Sequence, residues 1–325
     1  MTDTGTASAQ LSWHPRPQPV VDPSLPTRVR VYEVGPRDGL QAEPEILPPA
    51  AKVEFCRRLL QTGLGAIELT SFVPARWIPQ LADAEEVVAE LTLPDGVRGV
   101  ALVPNRRGLD RALAAGVREV SVVTSATESF ASANLNTSVD GALATASEVV
   151  AAAADAGVPV RGYVSMSFGD PWEGPVDHER VARLAARLYA AGVTTVALGD
   201  TIGTATPGHV TRIVERTVAA GVPREALALH FHDTYGQALG NVQAALRVGI
   251  VEFDSSAGGL GRCPFAKGAT GNLATEELVW MLHGLGIETG VDLEAVVRTS
   301  QWMSRTLGRP LASRVATALT AAGVA

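Results

Sequence analysis

The chain has 325 residues, of which 46% are hydrophobic and 19% charged, values typical of a globular protein that buries a full core. Its formal net charge of -7 argues against general binding to nucleic acid or to an anionic membrane, and no apolar run approaches the ~20 residues of a membrane span. Two cysteines in so long a chain do not form a disulfide framework, which favours a reducing cytoplasm.

Residues 1–27 carry no periodic apolar pattern and are rich in Pro, Ser, Thr and Gly, so we predict a flexible N-terminal tail. This stretch lacks the apolar core of a secretion signal. It also fits a mitochondrial presequence poorly, because Asp3 and Asp22 stand among few arginines. We predict one barrel domain over residues 28–290, followed by a helical segment over residues 291–325 that packs on the barrel.

From Val29 onward, short β-rich runs alternate with longer stretches rich in Ala, Leu and Val. The predicted strands are Arg30–Val34, Ala66–Leu69, Gly99–Val103, Glu119–Thr124, Val158–Ser165, Thr195–Leu198, Ala226–Phe231 and Glu252–Ser256. The predicted helices are Pro49–Thr62, Leu81–Leu91, Arg106–Ala115, Val139–Ala156, Asp177–Ala191, Gly208–Ala220, Gln237–Val248 and Leu273–Leu285. A glycine follows several of these helices, where it permits the left-handed turn that precedes the next strand.

Eight strand–helix units in one series predict an α/β protein, a (β/α)8 TIM barrel with an additional helical C-terminal segment. A doubly wound open sheet is the alternative, and it is less favoured because no Gly-x-Gly-x-x-Gly turn follows the first strand. In a TIM barrel the chemistry lies in the loops after the strands. The polar and Gly-rich segments of this chain fall in those loops.

The strongest local signal is His230-Phe231-His232 at the end of the seventh predicted strand. Residues two apart in a strand share a face, so both imidazoles are expected to point into the barrel with Ala226 and Ala228. Two imidazoles at this position fit metal ligation. Two hydrogen-bonded core histidines are the alternative for an isolated His-x-His pair.

Two further residues are candidates to complete a metal site. Asp38 lies just beyond the first strand, although Asp-Gly is also ordinary turn chemistry. Asn272 precedes the last barrel helix, where an N-cap is the alternative role. One carboxylate, two imidazoles and one amide oxygen suit Mg²⁺ or Mn²⁺ better than Zn²⁺. Arg37, beside Asp38, offers a positive charge to a thioester or carboxylate oxygen.

The Gly-rich loop over residues 258–268 carries Cys263 between Arg262 and Lys267. A cysteine in a loop over an active site indicates a nucleophile or a proton donor, with a loop thiol of no role as the alternative. The two flanking cations are placed to meet phosphates or a carboxylate. Cys56, in contrast, has the sequence setting of a core thiol on a helix.

Glu33, Glu68 and Asp200 are single acids at or near strand ends. A buried carboxylate is costly unless it is paired, so a structural salt bridge, such as Glu68 with Arg37, is an open alternative to a catalytic role. The chain has only two lysines, and of these only Lys267 is near the site. Because Schiff-base aldol chemistry needs a lysine inside the pocket, this scarcity favours metal-assisted carbon–carbon cleavage.

Five stretches of this sequence together resemble 3-hydroxy-3-methylglutaryl-CoA lyases, and the similarity runs from about Val29 to Leu293. None of the five is a short pattern that random sequence would often meet. They are residues 34–41 (VGPRDGLQ), 67–73 (IELTSFV), 198–203 (LGDTIG), 230–239 (HFHDTYGQAL) and 261–276 (GRCPFAKGATGNLATE).

The resemblance implies three kinds of site residue. The ligands of the divalent metal, Mg²⁺ or Mn²⁺, would be Asp38, His230, His232 and Asn272. The catalytic groups would be Arg37, Asp38, Glu68, Asp200, His230 and Cys263. The residues that bind or support the cofactor and substrate would be Gln41, Tyr163, Thr201 and Glu276.

The reaction that the resemblance implies is a retro-Claisen cleavage of an acyl-CoA substrate. The metal would hold the substrate's tertiary hydroxyl and carboxylate and lower the pKa of the hydroxyl. His230, or Asp38 through water, would remove its proton, and the C2–C3 bond would break to give acetoacetate and the enolate of acetyl-CoA. Arg37 would stabilise that enolate, and Cys263 or water would protonate it. We expect a cytoplasmic homodimer with no nucleic-acid or membrane partner.

Two positions depart from the family pattern: Arg262 precedes Cys263, and Asp170 stands where vertebrate lyases have a cysteine. They leave citramalyl-CoA and longer branched 3-hydroxyacyl-CoA substrates open. A Claisen synthase of the isopropylmalate or homocitrate type is disfavoured, because no regulatory domain fits after Gly290. A barrel that merely holds a metal as a scaffold is disfavoured, because it would have no use for Arg37 and Cys263.

Overall fold

The computed structural model describes residues 15–261 and 271–324. In that part of the chain, eight parallel strands close into a barrel, each beside the next in sequence, and the first pairs with the last. The register of that closing pair runs from Arg30 beside Glu252 to Glu33 beside Ser255. The predicted TIM barrel is therefore confirmed, and the open doubly wound sheet is wrong.

Each barrel strand except the last is followed by its helix within a few to about 15 residues, as the alternating pattern predicts. The strands are β1 Arg30–Glu33, β2 Ala66–Ser71, β3 Arg98–Leu102, β4 Glu119–Ser125, β5 Val160–Ser165, β6 Thr195–Asp200, β7 Leu227–Phe231 and β8 Glu252–Ser255. The helices are α1 Pro49–Leu60, α2 Ala84–Ala89, α3 Arg106–Ala114, α4 Val139–Asp155, α5 His178–Ala190, α6 Pro207–Ala219, α7 Ala238–Arg247, α8 Thr275–Gly284, α9 Leu293–Thr306 and α10 Arg314–Ala321. A two-stranded hairpin pairs Gly169–Asp170 with Gly174–Pro175.

The two faces of β7 show how the core is divided. Leu227, Leu229 and Phe231 belong to the large apolar cluster between the strands and the helices, whereas Ala228 packs inside the barrel against Tyr163. The alternation read from the sequence therefore places side chains correctly on this strand. Along the rest of the barrel interior, many of the buried groups are polar or charged.

Residues 15–27 run as an irregular segment that contacts the rest of the described chain. The Val20 amide donates to the Gly284 carbonyl at 2.9 Å, and the Leu25 side chain is buried in the main core. One of these contacts is a backbone hydrogen bond from a residue whose side chain is exposed, which is why the sequence shows no periodic apolar pattern there.

The helical C-terminal segment consists of α9 and α10, and α9 packs against α1 and α8. Just before α10, the Ala312 and Ser313 amides donate to the Gly258 carbonyl at the base of the loop after β8. On α1, Cys56 is fully buried, and burial raises the pKa of its thiol to about 12. Its predicted role as a core thiol is confirmed. None of the described helices is both long and apolar enough to cross a membrane.

Candidate active site

Three candidate ligands meet at the C-terminal end of the barrel. Asp38 follows β1, His230 lies in β7, and His232 comes directly after β7. Each offers one ligand atom, and these atoms all lie within 4.8 Å of one another. The two imidazole rings have centroids 5.2 Å apart. Ligand atoms this close fit a single metal ion, which is the arrangement that the His-x-His pattern predicts.

A π-helical turn over Gly35–Gly39 directs Asp38 into this cluster, with the Asp38 amide bonded to the Val34 carbonyl at 2.8 Å. Such turns are rare and frequently occur at functional sites. The Asp38 carboxylate accepts hydrogen bonds from Arg37 at 2.7 Å and from Asn272 at 2.9 Å. Burial opposes ionisation, but Arg37 and the two histidines outweigh it and lower the pKa of Asp38 to about 2.

Asn272 reaches the cluster through backbone pairing with the end of β7. Asn272 and His232 form an isolated antiparallel β-bridge. The backbone amide of the next residue, Leu273, donates to the Phe231 carbonyl at 2.9 Å. The N-cap of α8 is Ala274, so the N-cap alternative for Asn272 is wrong. Gly261 has a φ of 121°, and a Cβ there would lie 2.4 Å from Asn272 Nδ2, so glycine is needed beside this amide.

The donor set fits a divalent cation. Asn272 Oδ1 and His232 Nδ1 are buried and have no hydrogen-bond partner among the described residues. Buried polar atoms rarely lack a partner, because an unmade hydrogen bond costs free energy. A cation held by Asp38, His230 and His232 would be able to accept the free lone pairs of the Asn272 amide oxygen, and Asp38 adds the negative charge that Mg²⁺ and Mn²⁺ favour.

Arg37 is held rigidly beside the cluster. Its Nε donates to Glu68 Oε2 at 2.6 Å, and Glu68 Oε1 accepts from Ser121 Oγ at 2.5 Å. The guanidinium carbon also lies 5.6 Å from the ring centroid of Tyr163. Burial opposes the charge on Arg37, but Glu68 and Asp38 outweigh it and raise the pKa of the guanidinium above its usual range. The salt bridge predicted between Glu68 and Arg37 is confirmed.

The sequence reasoning missed Asp254, which faces His230 from β8. Its Oδ2 lies 3.1 Å from His230 Nδ1, and its Oδ1 accepts from Arg161 Nη2 at 2.5 Å. Burial alone would lower the pKa of His230, but the contact with Asp254 outweighs burial and raises it. Burial, together with the charge of His230, lowers the pKa of His232 to about 4. The alternation of Glu252 and Asp254 along the inward face of β8 was the signal that could have revealed this contact.

Asp200 faces its own loop. Its two carboxylate oxygens accept from the Thr204 and Ala205 amides at 2.8 and 3.1 Å, and burial raises its pKa to about 7. The neighbouring Thr201 hydroxyl accepts from the Met166 amide at 2.8 Å. Asp200 therefore shapes the loop that carries Thr201.

Glu33 and Glu276 hold the start of the loop after β8. Glu33 accepts from the Ala257 amide at 2.9 Å, and Glu276 accepts from the Gly258 amide at 2.9 Å. Burial raises the pKa of Glu33 to about 7. Burial, together with the charge of Glu277, raises that of Glu276 to about 8. In the described structure these two acids act on loop backbone rather than on the metal cluster.

A cavity of about 1510 Å³ opens above the cluster. The predicted site residues that line it are Arg37, Asp38, Gln41, Tyr163, Thr201, His230 and His232. Glu68, Asp200, Asn272 and Glu276 are not among the lining residues of the described cavity.

The proton donor predicted at Cys263, with the flanking Arg262 and Lys267, lies outside the described residues. The glycines on either side of that stretch, Gly261 and Gly271, both line the cavity. Asp170, the second departure from the family pattern, accepts from the Thr127 hydroxyl at 2.6 Å and is buried in the hairpin after β5.

The profile of the HMGL-like family matches residues 28–303. Among characterised relatives, the mitochondrial hydroxymethylglutaryl-CoA lyase of Arabidopsis thaliana is 48% identical over 299 residues, which are 92% of this chain and 64% of that protein. The chain thus spans less than two thirds of the plant relative's length. The hydroxymethylglutaryl-CoA lyase of Pseudomonas mevalonii is 48% identical over 293 residues, which are 90% of this chain and 97% of that protein.

Two solved structures show the same fold at high identity. The crystal structure of hydroxymethylglutaryl-CoA lyase from Pseudomonas aeruginosa has a TM-score of 0.89 and 47% identity, and covers 92% of this chain and 99% of that one. The structure of an HMG-CoA lyase from Acinetobacter baumannii in complex with coenzyme A and 3-methylmalate has a TM-score of 0.86 and 37% identity, and covers 92% of this chain and 97% of that one.

Proposed function

The chain belongs to the HMGL-like family, and from that premise we propose that it is a lyase that cleaves 3-hydroxy-3-methylglutaryl-CoA to acetyl-CoA and acetoacetate. The observation that carries the proposal is the meeting of Asp38, His230 and His232 beside Arg37 at the floor of one large cavity. Retro-Claisen cleavage needs both an activated hydroxyl and a cation at the developing enolate. This constellation supplies groups for each need.

We propose that Asp38, His230, His232 and Asn272 hold the divalent cation, with Mg²⁺ or Mn²⁺ as the ion. The bound cation would supply Lewis-acid polarisation of the substrate's oxygens. Support comes from the clustered ligand atoms of Asp38, His230 and His232, from the unpartnered amide oxygen of Asn272 and from the lowered pKa of Asp38.

The remaining groups have proposed roles in the same reaction. Arg37 is fixed by Glu68 before substrate arrives, so it stabilises enolate charge without reorganising. The hydroxyl proton goes to His230, or to Asp38 through a water molecule. Cys263 returns a proton to the enolate carbon, a transfer worth roughly 10²–10⁴-fold in rate.

The cavity supports an acyl-CoA as the ligand. Its volume of about 1510 Å³ exceeds the roughly 300–1,000 Å³ of sites for drug-sized molecules, as a long pantetheine arm requires. The relative from Acinetobacter baumannii binds coenzyme A on the same fold. The longer-chain alternative has support from one relative, because a Pseudomonas aeruginosa protein that is 48% identical over 298 residues is named 3-hydroxy-3-isohexenylglutaryl-CoA/hydroxy-methylglutaryl-CoA lyase.

Three further features are proposals of the same kind. The chain acts as a homodimer, and it works in the cytoplasm. The barrel over residues 28–290 is the folding unit that carries the site, with residues 291–325 packed on it.

Product analysis tests the function. Purified protein with Mg²⁺ or Mn²⁺ is expected to convert 3-hydroxy-3-methylglutaryl-CoA to acetyl-CoA and acetoacetate, and chelator should abolish the conversion. Cys263→Ala should lower the rate sharply, with Cys56→Ala as the matched control because Cys56 is buried in the core. Intact substrate after incubation with folded, metal-bound protein would contradict the substrate assignment.

A further inference from the structure

A line of buried charges runs from His230 down the interior of the barrel. His230 Nδ1 lies 3.1 Å from Asp254 Oδ2, and Asp254 Oδ1 lies 2.5 Å from Arg161 Nη2. Arg161 continues the line through its Nη1 to Glu252 Oε1. These four residues are 0–8% exposed, so water does not compete for their contacts.

We propose that Asp254, held by Arg161, is a positioning residue that keeps the His230 proton on Nδ1 and leaves Nε2 as the metal-binding nitrogen. The inference rests on the metal site of the proposed function. An ionised carboxylate only accepts hydrogen bonds, so the ring nitrogen that faces it must be the donor. Outer partners of this kind fix both the tautomer and the orientation of metal-binding histidines.

Strand register makes the contact specific. Asp254 and His230 are direct partners in the parallel pairing of β8 with β7. Arg161, from β5 across the barrel, contacts both Glu252 and Asp254, which stand two apart on one face of β8. The guanidinium carbon also lies 4.1 Å from the ring centroid of Tyr32. The carboxylate of Asp254 is therefore clamped between a strand neighbour and a fixed cation.

The second histidine is held differently. His232 Nδ1 is buried without a hydrogen-bond partner in residues 15–261 and 271–324, and no acid braces it as Asp254 braces His230. With Nδ1 donating to Asp254 and Nε2 on the cation, His230 has no free lone pair. His230 could then not take the substrate's hydroxyl proton, which leaves Asp38, acting through a water molecule, as the candidate base.

The substitution Asp254→Asn tests the tautomer directly. Arg161 carries donors only, so the amide oxygen of the new side chain must face Arg161. The amide NH₂ then faces His230 Nδ1. Because the NH₂ group only donates, His230 Nδ1 must accept with its lone pair, and the ring proton moves to Nε2. The variant keeps the size of the side chain, yet it removes the lone pair that would bind the metal.

Glu252→Gln is the matched control. The substitution removes one negative charge from β8, as Asp254→Asn does, at an equally buried position. Glu252 also contacts Arg161, but in the described structure it does not contact His230. Nitrogen-15 imidazole shifts of metal-free protein, recorded at a pH high enough to leave the His230 ring neutral, report the tautomer, with the His230 signal assigned by its loss in His230→Gln. Titration with Mn²⁺ by electron paramagnetic resonance reports metal affinity, and thermal unfolding reports stability.

We expect Nδ1–H in the wild type and Nε2–H in Asp254→Asn, with Mn²⁺ affinity lower by roughly 10–100-fold. Glu252→Gln should keep the wild-type tautomer and affinity. An Nε2–H tautomer in the wild type, or equal losses of affinity in the two variants, would overturn the inference.

Two features of the design keep the result decisive. The wild-type tautomer decides the matter even where Asp254→Asn does not fold. Because that tautomer is measured without metal or substrate, an absence of lyase activity would contradict the proposed function and leave this inference standing.

Discussion

The two ends of the barrel interior are built from similar residues, but they differ in whether buried polar groups find partners within the chain. At the N-terminal end of the strands, Arg98 pairs with Glu119 at 2.6 Å and Arg161 pairs with Glu252. At the C-terminal end, His232 Nδ1 and Asn272 Oδ1 are buried and lack partners among the described residues.

The difference separates structure from function. Charges that are paired within the chain stabilise one arrangement of the strands, and breaking such a pair leaves an uncompensated charge. Lone pairs left without a partner indicate that a group from outside the chain completes the site. Two atoms beside this charge network also lack a hydrogen-bond partner among the described residues, Arg161 Nε and the Tyr32 hydroxyl, and they belong to a guanidinium and a ring that stack on each other.

The largest expected effect is loss of a proposed metal ligand. His232→Gln should abolish Mn²⁺ binding. It should lower activity by more than the roughly 10–100-fold that is typical when a residue hydrogen-bonded to a metal ligand is replaced. His283→Gln is the control, because His283 bonds to Thr289 at 3.0 Å away from the cluster. Equal Mn²⁺ affinity in the two variants would mean that unpartnered atoms do not mark the site.

Arg37→Gln should come next, with kcat lower by about 10²–10³-fold, as for loss of one preorganised group at a developing oxyanion. Arg98→Gln removes a cation from the opposite end of the interior and should leave kcat unchanged. Steady-state kinetics at saturating Mg²⁺ measure both variants. A comparable fall in kcat for Arg98→Gln would show that the two ends are not functionally distinct.

Arg161→Met should act mainly on stability, because it removes the cation from the buried carboxylate of Asp254 and leaves Glu252 with Arg30 alone. We expect the free energy of unfolding in urea to fall by about 3–5 kcal/mol. A second substitution, Glu252→Gln, removes one of the two buried carboxylates that contact Arg161 in the wild type, and it should recover part of that loss of stability. No change in stability would contradict a structural role for the N-terminal end.

The smallest effect is a difference in pH dependence between the two ends. The pKa of Glu252 is lowered to about 2, because Arg161 and Arg30 outweigh burial, so its contribution to stability is present above about pH 4.5 and is lost as pH falls toward 2. Burial raises the pKa of Glu33 to about 7, so its contribution is present below about pH 4.5 and is lost as pH rises through 7.

Paired variants measure this difference. Glu252→Gln should flatten the loss of stability on acidification, and Glu33→Gln should flatten the loss between pH 5 and 8, by about 1.4 kcal/mol per pKa unit. Urea unfolding across pH gives both slopes. If both variants kept the wild-type dependence of the free energy of unfolding on pH, the titrations assigned to Glu252 and Glu33 would be contradicted.

Most of the fold could be predicted from the sequence, because strand alternation and the glycines after the helices are local. The observed β7, Leu227–Phe231, differs from the prediction by one residue. The fifth strand begins at Val160 rather than Val158, because the Val158 amide still closes the last turn of α4 by bonding to Ala153. The irregular segment before residue 28 escaped prediction, because its anchors are scattered contacts with the far end of the chain.

The candidate site was predictable where its residues lie at strand ends, as Asp38, His230 and His232 do. Asp254 could not be found in the same way, because its contact with His230 depends on the register between β7 and β8. The placement of Asn272 likewise depends on pairing with a distant strand, whereas its local sequence favoured an N-cap. Contacts set by long-range pairing are thus what the sequence pattern did not contain.

The most direct test of the account is a crystal structure of the protein with Mn²⁺, read by the anomalous scattering of the ion. We predict one ion bonded to Asp38, His230 Nε2, His232 and Asn272 Oδ1, with Asp254 still in contact with His230 Nδ1. No ion at this site, at a Mn²⁺ concentration that supports lyase activity, would contradict it.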